Sequence, residues 1–155
     1  MYTTKHQNNS MKKIQYIIAL AVIAIGNAAY LSYKAYVYKF VDPNGLFSFC
    51  DFNSTASCTE VLRHPLSEVF GIPFPWIALV VYPVILTLAI LAYKLTSMKL
   101  VRAIQILAAM GIVFNGFIIY REVVYIHAYC LLCLMCTGII ISIFALATLA
   151  LKEKK

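Results

Sequence analysis

Residues 128–151 of this chain read AYCLLCLMCTGIIISIFALATLAL, an apolar run without a charged side chain. A helix needs about 20 such residues to cross the roughly 30 Å hydrocarbon core of a bilayer. Three further uncharged runs occur at 14–33, 72–93 and 103–120. Backbone N–H and C=O groups find no partners in lipid, so a run of this length is predicted to be a helix. The predicted fold class is an all-α integral membrane protein, a bundle of four transmembrane helices.

The composition argues against a soluble protein. Hydrophobic residues make up 63% of the 155-residue chain and charged residues only 12%, whereas soluble domains carry about 25% charged residues. The net charge of +7 comes from lysines and arginines in short segments that flank the apolar runs. Basic residues in such segments are topology signals, so nucleic acid is not an expected partner.

The basic residues also predict the orientation of the chain. Nine of the 13 lysines and arginines fall on the side of the two termini and of the 94–102 connection. Lysine and arginine accumulate on the cytoplasmic side of membrane proteins. Both termini are therefore predicted to be cytoplasmic, and the 34–71 and 121–127 segments are predicted to lie outside.

These boundaries divide the chain into a membrane domain with short flanks. A tail over 1–13 is expected to be disordered, the membrane domain covers 14–151, and a basic tail covers 152–155. Within the membrane domain, the outer loop spans 38–71. Arg121 and Glu122 are predicted to mark the membrane interface on the outer side.

Four of the five cysteines fall on the outer side, the compartment in which disulfides persist. Cys50 and Cys58 bracket a polar stretch that is flexible enough to close a loop disulfide. Cys130 and Cys133 form a C-x-x-C at the start of the fourth helix, where residues i and i+3 share a face and the helix end favours a thiolate. The pattern predicts thiol–disulfide chemistry, with Cys136 as a small apolar residue at a helix contact.

Other functions fit the same cysteines. Two structural disulfides would clamp the outer loop, and the four outer cysteines with His64 or His127 would suit tetrahedral zinc. Loop cysteines eight residues apart do not have the usual zinc-knuckle spacing, so no metal is expected. A transporter is a weaker alternative, because the apolar runs contain no acidic residue.

A few polar residues near the C-x-x-C are candidates for supporting roles. His64 and His127 are candidate proton relays, because histidine changes charge near neutral pH. Gln105 and Asn115 lie within the third apolar run and are predicted to face the bundle interior. Asn115 lies at the depth of Cys133, so it is the better ligand candidate.

The order of these motifs resembles the vitamin K epoxide reductase family. Cys50 and Cys58 precede Thr-Glu-Val-Leu62, the stretch Phe70-Gly-Ile-Pro73 leads into the second helix, and the C-x-x-C opens the fourth. The resemblance covers about residues 14–150. It implies a bundle that encloses a quinone at its extracytoplasmic end under the outer loop. Bacterial members are disulfide-forming oxidases, so the plasma (inner) membrane of a bacterium is the expected location.

The resemblance also implies a role for each outer cysteine. Cys50 would meet a thioredoxin-like extracytoplasmic partner. Cys58 would relay electrons to Cys130 through a transient disulfide, and Cys133 would face the quinone, either ubiquinone or menaquinone. Some members carry a fused thioredoxin-like domain, which this chain is expected to lack; a monomer with a separate partner is expected. Reduction of vitamin K epoxide is the alternative activity.

The quinone contacts are implied by position. Ser67 stands where vertebrate members have a quinone-contacting asparagine, and Thr137 stands where they have a tyrosine. His64 stands where the family usually has serine or threonine. The candidate quinone contacts are Ser67, Phe70, Asn115, Cys133 and Thr137.

Overall fold

The structure, a computed structural model, describes residues 2–42, 51, 53 and 56–153, with side chains from residue 8 onward. Two short strands in it, β1 (Glu68–Val69) and β2 (Ile72–Pro73), form an antiparallel hairpin. All the α-helices except α2 are long and apolar enough to cross a membrane, so the predicted bundle of four transmembrane helices is confirmed. The described α-helices are α1 (Tyr2–Tyr36), α2 (Cys58–Arg63), α3 (Phe74–Leu95), α4 (Met98–Arg121) and α5 (Leu131–Lys152).

The first membrane helix is longer than predicted at both ends. The chain is helical from Tyr2, where a disordered tail over 1–13 was expected; this segment contains no glycine or proline to interrupt a helix. After α1 the chain continues as a π-helix over Val37–Val41. Asp42 is extended, with a φ of −148°, because a residue that precedes a proline is disfavoured in the helical region.

The other membrane helices also shift from their predicted bounds for local reasons. Pro73 is the N-cap of α3 and Pro75 lies in its first turn, a position that tolerates the missing N–H. Helix α4 begins at Met98, five residues before the predicted start at 103. The charged side chains of Lys99 and Arg102 are exposed, so these residues can belong to the helix without burying a charge. Beyond α4 the chain continues as a π-helix over Glu122–Ile126.

The four membrane helices close into a ring. Helix α1 packs against α3 and α5, and α4 packs against the same two helices. Along α1 the fully buried residues recur every three or four positions, which places them on one face. They include three alanines, and small residues allow membrane helices to approach closely. The fully buried positions in the α1 series are Ile14, Ile17, Ala21, Ala24 and Ala28.

Polar contacts define the two ends of the bundle. Lys13 forms a 2.5 Å ion pair with Glu153, so the start of the apolar part of α1 lies beside the end of α5. Gln105 Nε2 donates to Thr148 Oγ1 at 2.8 Å, which confirms that Gln105 faces the bundle interior and joins α4 to α5. Loop residues 56–71 lie at the opposite end, over the start of α5.

Gly111 on α4 provides a test of this packing. A Cβ added there would lie 3.1 Å from Cγ1 of the buried Ile140 on α5. We expect Gly111→Val to lower the free energy of unfolding by about 1–3 kcal/mol through overpacking, measured by thermal unfolding in detergent. Gly116→Val is the matched control on the same helix, because nothing lies within 4 Å of its added Cβ. Equal unfolding temperatures for the two variants would contradict the close approach of α4 to α5.

Candidate active site

A short backbone bridge joins the outer loop to the start of α5. Ala56 pairs in parallel with Tyr129. Directly beyond this bridge, Sγ of Cys58 and Sγ of Cys130 lie 2.9 Å apart, and both residues are fully buried. The structure thus brings together the loop cysteine and the helix cysteine that the resemblance pairs as a relay.

The two sulfurs of this contact are in different redox states. Cys58 is disulfide-bonded. Cys50, which is predicted to meet the redox partner, lies outside the described residues. Cys130 and Cys133 are free thiols. The Cys130–Cys58 separation exceeds the disulfide bond length of about 2.05 Å, so the contact is a thiol lying against a disulfide sulfur. Thiol–disulfide exchange requires this pair of groups.

Asp51 holds the start of α2, and therefore Cys58, in place. Its carboxylate accepts hydrogen bonds from Ser57 Oγ at 2.8 Å, from Thr59 N at 3.0 Å and from Thr59 Oγ1 at 2.5 Å. Ser57 is the N-cap of α2 and accepts from the backbone N–H of Glu60 at 3.2 Å. Side-chain acceptors of this kind satisfy the free N–H groups of a first helical turn. Cys58, the first residue of α2, thus sits on an anchored turn.

A second set of contacts joins α2 to the end of the first membrane helix. Tyr38 Oη and Thr59 Oγ1 are hydrogen-bonded at 2.9 Å. The Arg63 guanidinium lies 5.2 Å from the centre of the Tyr38 ring, within the range of a cation–π interaction. The loop cysteine is therefore connected to α1 as well as to α5.

The C-x-x-C occupies the first turn of α5, as predicted. Cys130 is the N-cap residue, and its carbonyl accepts from the N–H groups of Cys133 and Leu134, each at 3.1 Å. Cys133 is 2% exposed. Helix N-termini carry partial positive charge, which favours a thiolate, whereas the burial of both sulfurs disfavours the charged form.

Glu122 is a second residue at this site, after Asp51, whose role the sequence did not reveal. It was predicted only to mark the membrane interface, yet it is 1% exposed. Its Oε2 accepts from the backbone N–H of Cys130 at 3.3 Å. Its Oε1 has no hydrogen-bond partner among the described residues. In the sequence, Glu122 is an acidic residue eight positions before the C-x-x-C, and this spacing alone does not indicate a contact. The folded turn between α4 and α5 brings its carboxyl to the Cys130 N–H.

An apolar pocket lies among the four membrane helices, and Cys133 forms part of its wall. Asn115 also lines it, as predicted, with Nδ2 donating to Gly111 O at 2.9 Å. Tyr82 lines it too, with its hydroxyl donating to Cys136 O at 3.2 Å. The pocket has the character of a small-molecule site, mostly apolar with a few polar groups. Its apolar lining includes Ala28, Leu31, Phe74, Ile77, Val81 and Phe114.

The other candidate quinone contacts lie elsewhere. Ser67 is buried and its hydroxyl donates to His64 O at 2.7 Å. Phe70 is 100% exposed at the tip of the β1–β2 hairpin, with a φ of +54°. Thr137 Oγ1 donates to Cys133 O at 3.0 Å within α5. None of the three is part of the described pocket wall, so their contact with a quinone stays a prediction.

The two histidines have different surroundings. His64 is half-buried, and its Nδ1 accepts from the N–H of Leu66 at 3.2 Å. His127 is exposed and has a φ of +56° in the turn before α5. Neither ring is hydrogen-bonded to a thiol within the described part of the chain, so a proton relay through either one stays a prediction.

Cys136 lies one turn deeper than Cys133, on the same pocket wall. Asn27 of α1 donates from Nδ2 to Cys136 Sγ at 3.0 Å and to Leu132 O at 2.9 Å. Cys136 is therefore part of the contact between α1 and α5, in keeping with its predicted place at a helix contact. Asn27 was visible in the sequence as a polar residue inside the first apolar run.

Residues 2–42, 51, 53 and 56–153 contain no group of three or more histidine, cysteine or acidic side chains arranged to hold a metal ion. The zinc alternative also involves Cys50, which lies outside the described residues.

The role of Asp51 can be tested through the α2 backbone. We expect Asp51→Asn to weaken the hydrogen bonds to Ser57 and Thr59, because bonds to a charged acceptor contribute about 1.5–3 kcal/mol each. Amide hydrogen exchange over 59–62 should accelerate by about tenfold or more. Glu60→Gln is the control, since it removes an exposed carboxylate from the same turn. Equal exchange rates in wild type and Asp51→Asn would mean that Asp51 does not anchor α2.

Comparison with known proteins agrees with this geometry. The model of the vitamin K epoxide reductase family matches residues 15–148. A search of curated proteins found no significant match. The matched segment contains α2 to α4 and most of α1 and α5, and with them the paired sulfurs and the pocket. The chain belongs to the vitamin K epoxide reductase family and is a membrane oxidoreductase of that class.

Proposed function

We propose that this protein oxidises the dithiol of a thioredoxin-like extracytoplasmic partner and passes the electrons to a membrane quinone, which supports disulfide formation in exported proteins. The observation that carries the proposal is the 2.9 Å contact between Cys58 and Cys130. This contact joins a disulfide-bonded loop cysteine to a C-x-x-C that faces an apolar pocket. A structural staple would not need a free thiol against its own sulfur.

The first step takes place at the outer loop. A partner thiolate attacks Cys50 of a Cys50–Cys58 disulfide and forms a mixed disulfide, and Cys58 leaves as a thiolate. The second partner thiolate then displaces Cys50. The partner becomes a disulfide, and the two loop cysteines carry its two electrons.

The second step moves the electrons from the loop to α5. The Cys58 thiolate attacks Cys130 of an oxidised Cys130–Cys133 disulfide, so a Cys58–Cys130 bond forms and Cys133 leaves. Cys50 then attacks Cys58, which restores the loop disulfide and frees Cys130. The C-x-x-C ends as a dithiol, and this is the state of both residues in the structure.

The pocket residues fit a quinone ring. The wall is apolar, as a ring and an isoprenoid tail require, and Asn115 and Tyr82 supply polar groups. A bound quinone would accept two electrons and two protons from the dithiol. Cys133 is the cysteine of the C-x-x-C that reaches the pocket wall, so it is the residue that would meet this substrate. His64 and His127 remain the predicted relays for protons from the outer face.

The proposed orientation places this chemistry outside the cytoplasm. The Lys13–Glu153 ion pair and the Cys58–Cys130 contact lie at opposite ends of the bundle. The excess of lysine and arginine near the termini assigns the first end to the cytoplasm. The cysteines then face the compartment in which new disulfides persist.

The exchange step can be trapped. We expect the double variant with Cys50→Ala and Cys133→Ala to accumulate a Cys58–Cys130 disulfide after mild oxidation, because neither of the two cysteines that could break this bond remains. Peptide mapping by mass spectrometry without reduction detects this bond. Finding Cys130 only as a free thiol after mild oxidation would contradict the relay.

Quinone absorbance tests the overall reaction. Wild-type protein in detergent, supplied with a small dithiol, should consume quinone, and Cys133→Ala should lower the rate by about 100-fold or more. Cys50→Ala should have a smaller effect, because a small dithiol bypasses the partner. Ser142→Ala, at an exposed position of α5, should behave as wild type. Absence of turnover in wild type with both benzoquinones and naphthoquinones would refute the proposal.

A further inference from the structure

Glu122 is the acidic residue of the described chain that lies buried against the reacting thiols. It is 1% exposed and belongs to a segment that the structure assigns to the third membrane span, Met98–Ile126. Acidic side chains inside a membrane bundle are costly and generally have a function. One carboxylate oxygen is engaged by the Cys130 N–H, and the other has no hydrogen-bond partner among the described residues.

We propose that Glu122 is the proton donor and acceptor for Cys133, a role that extends the proposed function. The Cys130 N–H holds the carboxyl at the first turn of α5, the turn that carries Cys133. Its free Oε1 provides the position that a transferred proton requires. Glu122 would thus be a catalytic residue, because the transferred proton would move between its carboxyl and the reacting sulfur.

The proton transfer is balanced in each direction. When Cys58 attacks Cys130, the Cys130–Cys133 bond breaks and its electron pair goes to the Cys133 sulfur. The protonated Glu122 carboxyl gives its proton to that sulfur, which leaves a Cys133 thiol and a Glu122 carboxylate. When Cys133 reacts again, the S–H bond breaks, the O–H bond on Glu122 re-forms, and the electron pair stays on sulfur.

The surroundings of Cys133 make such a group necessary. The thiol is 2% exposed and faces an apolar pocket, so water has little access to take or supply a proton. A buried carboxyl held at the same helical turn removes the need for solvent. General acid–base catalysis of this kind contributes about 100-fold or more to a rate.

The test measures thiol reactivity without quinone or partner. The protein is fully reduced with a phosphine, which is then removed, and treated in detergent with limiting N-ethylmaleimide at pH 7. Peptide mass spectrometry reads the rate at each cysteine. We expect Glu122→Gln to slow alkylation of Cys133 by about 100-fold and to leave Cys136 unchanged as an internal reference. Glu60→Gln, which removes an exposed carboxylate, should match wild type.

Two results would overturn the proposal. An unchanged rate at Cys133 would show that the carboxylate takes no proton from it. A faster rate would show that Glu122 acts only as a like charge, because a nearby negative charge disfavours a thiolate. If Glu122→Gln does not fold, Glu122→Asp and Glu122→Asn repeat the comparison of acid with amide on a side chain one methylene shorter. Equal alkylation rates at Cys133 in these two variants would also overturn the proposal.

The same experiment separates this inference from the proposed function. Slow Cys133 alkylation in Glu122→Gln supports the proton role even if wild type reduces no quinone. Active quinone reduction in wild type, together with unchanged alkylation in Glu122→Gln, would uphold the oxidase and remove Glu122 from its mechanism.

Discussion

Hydrocarbon offers a polypeptide no hydrogen-bond partner except itself, and this constraint determines where chemistry is possible in this protein. Each apolar run must cross as a helix, so four crossings bring both ends of the chain to one end of the bundle and loop residues 56–71 to the other. The N-terminus of α5 then becomes the place where loop and membrane meet. Its first-turn N–H groups and its two cysteines lie under the loop, and Cys58 reaches Cys130 at 2.9 Å without a long-range conformational change.

Most of the architecture was predictable because its cause is local. Uncharged runs long enough to cross a bilayer specify helices wherever they occur, and the place of Cys130 and Cys133 at a helix start follows from where the last run begins. The helix bounds were less predictable, because charged or polar residues such as Arg102 can continue a helix in the interface. The helical start at Tyr2 shows the same effect. A polar sequence without glycine or proline extends a helix that the membrane has already nucleated.

Only those site residues whose positions follow from their spacing along the sequence could be predicted. The C-x-x-C spacing places two sulfurs on one turn, and Asn115 was found because polar residues in an apolar run face the interior. Asp51 and Glu122 escaped detection because their roles depend on tertiary contacts. Asp51 folds back on Thr59, and Glu122 approaches Cys130 through the turn that ends in His127. Neither contact has a periodic pattern from which it can be inferred.

Cys130 lies on both the proposed electron path and the proposed proton path. Its sulfur contacts Cys58, on the proposed electron path, and its backbone N–H contacts Glu122, on the proposed proton path. Because both contacts belong to one residue at a helix cap, any shift of the α5 start moves both of them. The bridge between Ala56 and Tyr129 and the Asn27 bond to Leu132 restrain this turn from two sides. The loop and α1 therefore hold Cys130 at the turn of helix where the proposed electron path and the proposed proton path meet.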